Sequence, residues 1–112
     1  MMKAHILVKP FHWVIVEQIE NPETSYLLAA GESFSLTGLA NEQYEFRIKR
    51  ITAHTVDLEF TGPSLALIPE NKLIGEGQPR TEFTLKLGES RKVATTTLDA
   101  GIVWDIRLEV LI

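Results

Sequence analysis

The chain has 112 residues, a formal net charge of −4, 45% hydrophobic residues, 23% charged residues and no cysteine. These values are typical of one globular domain with its own core, so we predict a single domain over residues 1–112. They exclude a disordered chain, a disulfide scaffold and thiolate-bound metal, and the acidic balance leaves no basic footprint for nucleic acid.

The apolar runs near the N-terminus are short. Ile6–Val8 ends at Lys9, and Val14–Val16 is no longer. A signal peptide needs about 7–15 apolar residues and a membrane helix about 20. We therefore expect no membrane span and a cytoplasmic protein, although a secreted or cell-surface protein whose leader had been removed would have the same sequence.

Residues 21–31 carry two competing signals. Asn21, Pro22 and Gly31 stand where a short helix prefers its N-cap, its first residue and its C-terminal cap. The same segment belongs to a weak internal repeat, because Tyr26-x-Leu28-x-x-Gly-Glu-Ser lines up with Phe83-x-Leu85-x-x-Gly-Glu-Ser. We favour a strand followed by a hairpin turn at both places.

The repeat continues if one extra residue is allowed. The apolar positions that then match are Tyr44, Phe46 and Ile48 with Ile102, Trp104 and Ile106. Both halves would have the order strand, Gly-Glu-Ser turn, strand, connection, strand. A duplication and two similar hairpins would both explain this match.

One short stretch resembles a loop of a known inhibitor family. Residues 21–25, Asn-Pro-Glu-Thr-Ser, are similar to the Asn-Pro-x-Thr-Gly loop of chagasin-type inhibitors of cysteine proteases, with Ser25 in place of glycine. Residues 72–77 are loosely similar to the glycine-rich middle loop, and the Arg-Pro-Trp loop has no counterpart. The resemblance implies an Ig-like sandwich that binds through loops, and it covers too few residues to assign the family.

Alternation of apolar and polar residues predicts strands through most of the chain. The shorter alternating segments are centred on Tyr44, Phe46 and Ile48, on Val56, Leu58 and Phe60, and on Phe83, Leu85 and Leu87. The longest runs from Ile102 to Ile112, with Asp105, Arg107 and Glu109 on the opposite face. Turn residues follow at Thr52–Thr55, Thr61–Pro63, Gly88–Ser90 and Asp99–Gly101. We predict an all-β, antiparallel β-sandwich of about eight or nine strands with Ig-like or jelly-roll topology.

No motif in the sequence indicates catalysis or a metal site. His5, His12 and His54 have no metal-ligand spacing, and no serine has a nucleophile-elbow context. The Gly-Glu-Ser repeats are better explained as hairpin turns than as sites. We therefore expect a protein that is not an enzyme, with no catalytic residues, no bound metal and no cofactor.

The longest stretch without alternation covers residues 69–80. A connection between strands normally needs about 2–5 residues, and long ordered loops often carry recognition. Asn71, Lys72, Gln78 and Arg80 supply donors there for a polar or carboxylate ligand, so they are the predicted binding residues. The apolar pair Leu73–Ile74 would either tuck inward or face a partner.

These observations favour a non-enzymatic binding or interaction module of bacterial type, a class that includes accessory domains. The alternative is an acidic inhibitor or immunity-type protein that caps a partner enzyme. The expected partner is an unknown protein or a polar small ligand. A homodimer is also expected, because the apolar residues Leu7, Ile15, Val103 and Leu111 interrupt the polar face of their strands.

Overall fold

A computed structural model describes residues 2–14, 17–20, 22–38, 42–62, 65–68, 72–74, 81–95 and 100–112. Every regular element within these ranges is a β-strand. The strands are Lys3–Val14 (β1), Glu17–Glu20 (β2), Thr24–Ala29 (β3), Ser33–Thr37 (β4), Gln43–Ile51 (β5), Thr55–Thr61 (β6), Leu65–Ile68 (β7), Lys72–Ile74 (β8), Thr81–Lys86 (β9), Ser90–Thr95 (β10) and Ala100–Leu111 (β11).

The strands form two antiparallel sheets packed face to face, which confirms the predicted all-β sandwich. The large sheet has seven strands in the order β2-β1-β11-β10-β7-β8, with β3 also paired to β1. The small sheet has four strands in the order β4-β5-β6-β9. Eight of the described strands have five or more residues, four in each sheet, in agreement with the eight or nine predicted.

The core consists of the inward-facing residues of both sheets, which occur at every second position of strands such as β4 and β5. Ile6 and Val8 of β1 and Phe46 and Ile48 of β5 are fully excluded from solvent. Burial of one such side chain is worth about 1.5–3 kcal/mol, so the alternation itself selects which face of each sheet turns inward.

Residues 24–29 form a strand, as the internal repeat predicted, and not a helix. The segment pairs with Lys3–Val8 of β1, so its backbone groups are bonded within the sheet. Tyr26 and Leu28 pack against the core, whereas Leu27 faces outward and is 50% exposed. A pattern that buries one side chain in two is satisfied by a strand and would be split between two faces of a helix.

The predicted alternation of the last strand holds only as far as Leu108. The pairing of β11 with β1 then shifts register, and Glu109 is the extra residue of a β-bulge. Val110 is consequently 41% exposed and Ile112 is 67% exposed, while Leu111 packs against the core. The prediction that Val110 and Ile112 lie on the core face is wrong, because the bulge exchanges the two faces.

Two other predicted boundaries are also wrong. Leu87 lies in the turn after β9 and is 47% exposed, so it does not continue the buried face of Phe83 and Leu85. Ala100 and Gly101 belong to β11 and do not form a hairpin turn. Asp99 lies outside the described residues.

The two Gly-Glu-Ser turns, which connect the two sheets, are built alike. The Glu32 carboxylate accepts a hydrogen bond from Ala29 N (2.6 Å), and the Glu89 carboxylate accepts one from Lys86 N (3.1 Å). The glycine of each turn has positive φ, 92° in the first and 81° in the second. Positive φ favours glycine, so the backbone conformation explains the glycine in both turns.

Each of these turns also binds the backbone of a strand at the corresponding place. Gly31 N donates to Ile48 O (2.7 Å), and Gly88 N donates to Leu108 O (2.8 Å). Ile48 N and Leu108 N donate back to the glutamate carbonyls of the turns, at 2.8 and 3.1 Å. Ile48 therefore corresponds to Leu108, and the predicted match of Ile48 with Ile106 is wrong by one alternation of the strand.

The pairing pattern divides the chain into two similar units. The first unit contains β1, β3, β4 and β5, which correspond in order to β6, β9, β10 and β11 of the second. Within each unit the first strand pairs with the second and the third with the fourth. Between the units, β1 pairs with β11 and β6 pairs with β5. The three remaining strands, β2, β7 and β8, all belong to the large sheet.

Candidate binding surface

The outer face of the large sheet is formed by the residues that alternate with its buried ones. We call this surface the large-sheet face. Its described residues include Lys3, His5, Leu7, Lys9, Phe11, Ser25, Leu27, Ser90, Lys92, Ala94, Val103, Asp105, Arg107, Glu109 and Val110.

Apolar side chains occupy both ends of the large-sheet face. At one end, His5 pairs with Leu27 on one side and with Val110 on the other, and both partners are more than one-third exposed. At the other end, Phe11 pairs with Val103, and both are half-buried. These cross-strand neighbours lie within side-chain contact distance, so Leu27 and Val110 flank His5 at one end and Phe11 lies beside Val103 at the other.

Charged residues separate the two apolar rows. Asp105 lies between Lys9 of β1 and Lys92 of β10, and Lys9 Nζ lies 5.8 Å from the centroid of the Phe11 ring. Asp105 Oδ1 is shielded from solvent and has no hydrogen-bond partner among the described atoms. The middle of the surface thus combines cationic side chains with a carboxylate oxygen that is left unsatisfied.

A second charged pair lies along β11. Arg107 Nε is 3.2 Å from Glu109 Oε2, in an ion pair that does not have hydrogen-bond geometry. The Arg107 side chain is half exposed, so the pair contributes little to stability.

The outer face of the small sheet has a different chemistry. Arg50 donates from Nε and Nη2 to Asp57 Oδ2 (2.9 and 2.6 Å), and Thr84 Oγ1 donates to Asp57 Oδ1 (2.7 Å). The Thr84 hydroxyl is the main cause that lowers the pKa of Asp57, and Arg50 adds to it, while partial burial opposes the shift. This cluster is satisfied within the molecule.

Two further acidic residues of that face are also paired with cations. Arg47 Nη1 lies 3.9 Å from Glu59 Oε1, and Glu59 is only 6% exposed. Lys49 forms an ion pair with Glu82 across the sheet. We call this surface, which is polar and internally paired, the small-sheet face.

The correspondence between the units allows the two faces to be compared position by position. Some aligned pairs, such as Glu45 with Asp105 and Arg47 with Arg107, are charged on both faces. Five others, small-sheet residue first, are Asp57 with His5, Thr84 with Leu27, Arg50 with Val110, Glu59 with Leu7, and Gln43 with Val103. In four of these five pairs a polar or charged residue on the small sheet corresponds to an aliphatic residue on the large sheet, and Asp57 corresponds to a histidine. The backbone geometry is the same, so the fold itself does not require the aliphatic residues.

The predicted binding residues lie mostly outside the part of the chain that the structure describes. Asn71, Gln78 and Arg80 are not described, so the structure does not test whether they lie together. Lys72 begins β8, which pairs with β7 at one edge of the large sheet. The segment 69–80 is therefore not loop throughout, because residues 72–74 of it are a strand.

Sequence reasoning found only part of the large-sheet face. Leu7 and Val103 had been noted as interrupting a polar face, and they do face outward there. Leu111 packs against the core, and Ile15 is not described. Leu27 and Val110 were missed, because the first lay in a segment with mixed helix and strand signals and the second follows the bulge.

Nothing among the described residues forms a cluster of three metal-ligating side chains. None of the described elements is a helix long and apolar enough to cross a membrane. Thr24 and Ser25 lie in β3, so they do not form the loop that their resemblance to chagasin-type inhibitors implied. Comparisons with protein-family models, curated proteins and solved structures gave no match.

Proposed function

We propose that this protein is a non-enzymatic interaction module that binds another protein through the large-sheet face. The observation that carries the proposal is the contrast between corresponding positions of the two faces. Leu27 and Val110 are exposed where the small sheet has Thr84 and Arg50. Isolated exposed apolar residues are common on protein surfaces. Neighbouring apolar residues at positions where the other sheet carries polar ones indicate that the apolar surface serves binding.

The size of the surface supports a protein partner. Four strands about 4.8 Å apart and a row-to-row distance of roughly 20 Å give a mixed apolar and charged face of at most about 400 Å². The face of a sheet is flat, whereas small-molecule sites are concave. A standard interface needs about 800 Å² per partner, so neighbouring segments would have to contribute.

The charges on this face favour an acidic partner. Four cationic residues and two carboxylates lie on the large-sheet face, in a chain whose net charge is −4. Cationic side chains between apolar rows match a partner surface that presents carboxylates beside apolar residues. We therefore propose a protein partner with an acidic and apolar docking surface.

The paired charges of the small-sheet face argue against the alternative of an acidic inhibitor. Capping of a basic enzyme would call for a cluster of uncompensated carboxylates. Three acidic groups of the small-sheet face, Asp57, Glu59 and Glu82, instead have cationic neighbours. The proposal also keeps a cytoplasmic location and an Ig-like or jelly-roll topology as predictions from the sequence.

The segment 69–80 remains a predicted contributor to binding. β8 pairs with β7 at the edge of the large sheet, and Lys72 lies opposite Leu67 in that pairing. We expect replacement of Lys72 and Arg80 by alanine to weaken partner capture without lowering the melting temperature. Unchanged capture would remove this segment from the proposal.

The test of the main surface exchanges residues between the faces. Leu27→Thr combined with Val110→Arg introduces the small-sheet residues, and Gln43→Val with Thr37→Ala is the matched control on the other face. Capture from a lysate, followed by mass spectrometry, is measured together with the melting temperature.

We expect an acid-rich partner that is lost with Leu27→Thr and Val110→Arg, retained by the control, and weakened by salt. The proposal would be contradicted if both variants lost the partner equally, or if both captured it as well as the wild type does. If the wild-type chain captures only itself and has twice its monomer mass in light scattering, the occupant is a second copy and the proposed partner is wrong.

A further inference from the structure

We infer that the chain is a tandem pair of like units. When the turn that joins the two units within one chain cannot form, each unit can pair instead with the complementary unit of a second copy of the chain. The result would be a dimer formed by exchange of whole units. This inference is independent of the proposed function, because it concerns the pairing edges and not the outer faces.

The ends of the chain meet in the same way as the two strands at the turn between the units. Lys3 N donates to Ile112 O, and Ile112 N donates to Lys3 O, both at 2.9 Å. Thr52 N donates to Thr55 O at 2.9 Å, closing the turn between β5 and β6. Thr52 corresponds to Ile112 and Thr55 to Lys3, so one junction is a covalent turn and the other has the same hydrogen bond without a covalent link.

The same irregularity occurs in both pairings between the units. In β5 and β6 the register shifts between Ile48 and Arg50, which leaves Lys49 as the extra residue. In β11 and β1 the extra residue is Glu109, which corresponds to Lys49. A bulge is a local disruption with its own hydrogen-bond pattern, so two bulges at corresponding places are stronger evidence than matching strand lengths.

Corresponding residues also touch in the core. The rings of Tyr44 and Trp104 meet edge to face with centroids 5.3 Å apart. Both are buried, at 2% exposure. When two like units are related by a two-fold axis, equivalent residues of the two units contact each other near that axis, as Tyr44 and Trp104 do.

A single unit is incomplete without the other. β1 of the first unit needs β11, and β5 needs β6, so one unit alone would leave two strand edges open. The described covalent link between the units is the turn Thr52–Thr55. Since the interface is reciprocal, two chains can exchange units and form all of the same pairings twice.

Deletion of residues 52–55 tests this exchange. The deletion joins Ile51 directly to Val56, which is fully buried, so a two-residue hairpin turn would have to take residues from the core. We expect a folded dimer, seen as a doubling of the mass by light scattering. A folded monomer, or a chain that folds at no concentration, would contradict the inference.

A circular permutant gives an independent measurement. Ile112 is joined to Lys3 through Ala-His, the residues that link Thr52 to Thr55, and the chain is opened between Ala53 and His54. We expect a folded monomer that melts within a few degrees of the wild type. An unfolded or dimeric permutant would show that the two junctions are not equivalent.

Discussion

The two outer faces of this sandwich have similar backbones and different chemistry. On the small sheet, Asp57 is held by Arg50 and Thr84 in a network that the molecule satisfies by itself. At the corresponding place on the large sheet, Leu27 and Val110 are exposed around a histidine. Folding therefore constrains the residues on the inner face of each sheet more strongly than those on the outer face, which can vary with binding.

The inner faces support this distinction. Ile48 and Leu108 occupy corresponding positions and are both fully buried, as are Leu58 and Ile6. Aliphatic residues of similar size substitute for one another on the inside, where packing density limits the choice. The large sheet also contains the additional strands β2, β7 and β8. The extra strands and the exposed aliphatic residues, which are the two departures from the internal symmetry, therefore both belong to the large sheet.

The largest expected effect is on the inner face of the last strand. Trp104→Ala should lower the free energy of unfolding by roughly 3–5 kcal/mol, because it empties a buried aromatic position. The matched control, Arg107→Ala on the outer face, should cost less than about 1 kcal/mol. Chemical denaturation measures both, and equal costs would mean that β11 is not half-buried.

A smaller effect should separate the two outer faces. Asp57→Ala removes the acceptor for Thr84 and Arg50, and we expect a loss of about 1–2 kcal/mol, near the value of a hydrogen bond to a charged group. His5→Ala, at the corresponding position, should change stability by less than about 0.5 kcal/mol. Equal losses in thermal denaturation would contradict the view that only the small-sheet face is internally bonded.

The same carboxylate predicts a pH dependence. Because the pKa of Asp57 is lowered in the folded protein, its contribution is present above the ordinary carboxyl pKa of about 3.9 and is lost as the pH falls through the lowered value. Asp57→Asn should therefore lose less stability than the wild type on acidification below about pH 4. Identical slopes of unfolding free energy against pH would count against the bonded carboxylate.

The smallest effect on stability is expected from the proposed binding surface. Leu27 is already half exposed, so Leu27→Thr should change the free energy of unfolding by less than about 0.5 kcal/mol. Its effect on partner capture should be much larger. A marked fall in melting temperature would mean that Leu27 serves the fold and not binding.

The sequence predicted the fold well because alternation reports burial directly. Phe46 and Leu85 were assigned to inner faces and are buried there. The error at Val110 has a physical cause, since a bulge depends on the pairing of two distant strands and leaves no mark in a single strand's pattern.

The candidate surface was harder to predict than the core. Leu27 can be assigned to the outer face only when its segment is known to pair with β1. Thr84, the polar residue at the corresponding position, is identified only from the hydrogen bonds of the two turns. The repeated Gly-Glu-Ser turn was the signal that could have led there. Its continuation was aligned with Ile106 instead of Leu108, and this misplaced the comparison.

The most direct test of the central claim is a methyl NMR titration of the protein with its captured partner. The claim predicts that the methyl signals of Leu7, Leu27 and Val110 on the large-sheet face shift or broaden, while those of Thr61 and Thr84 on the small-sheet face stay unchanged. Perturbation confined to the small-sheet threonines, or spread equally over both faces, would contradict it.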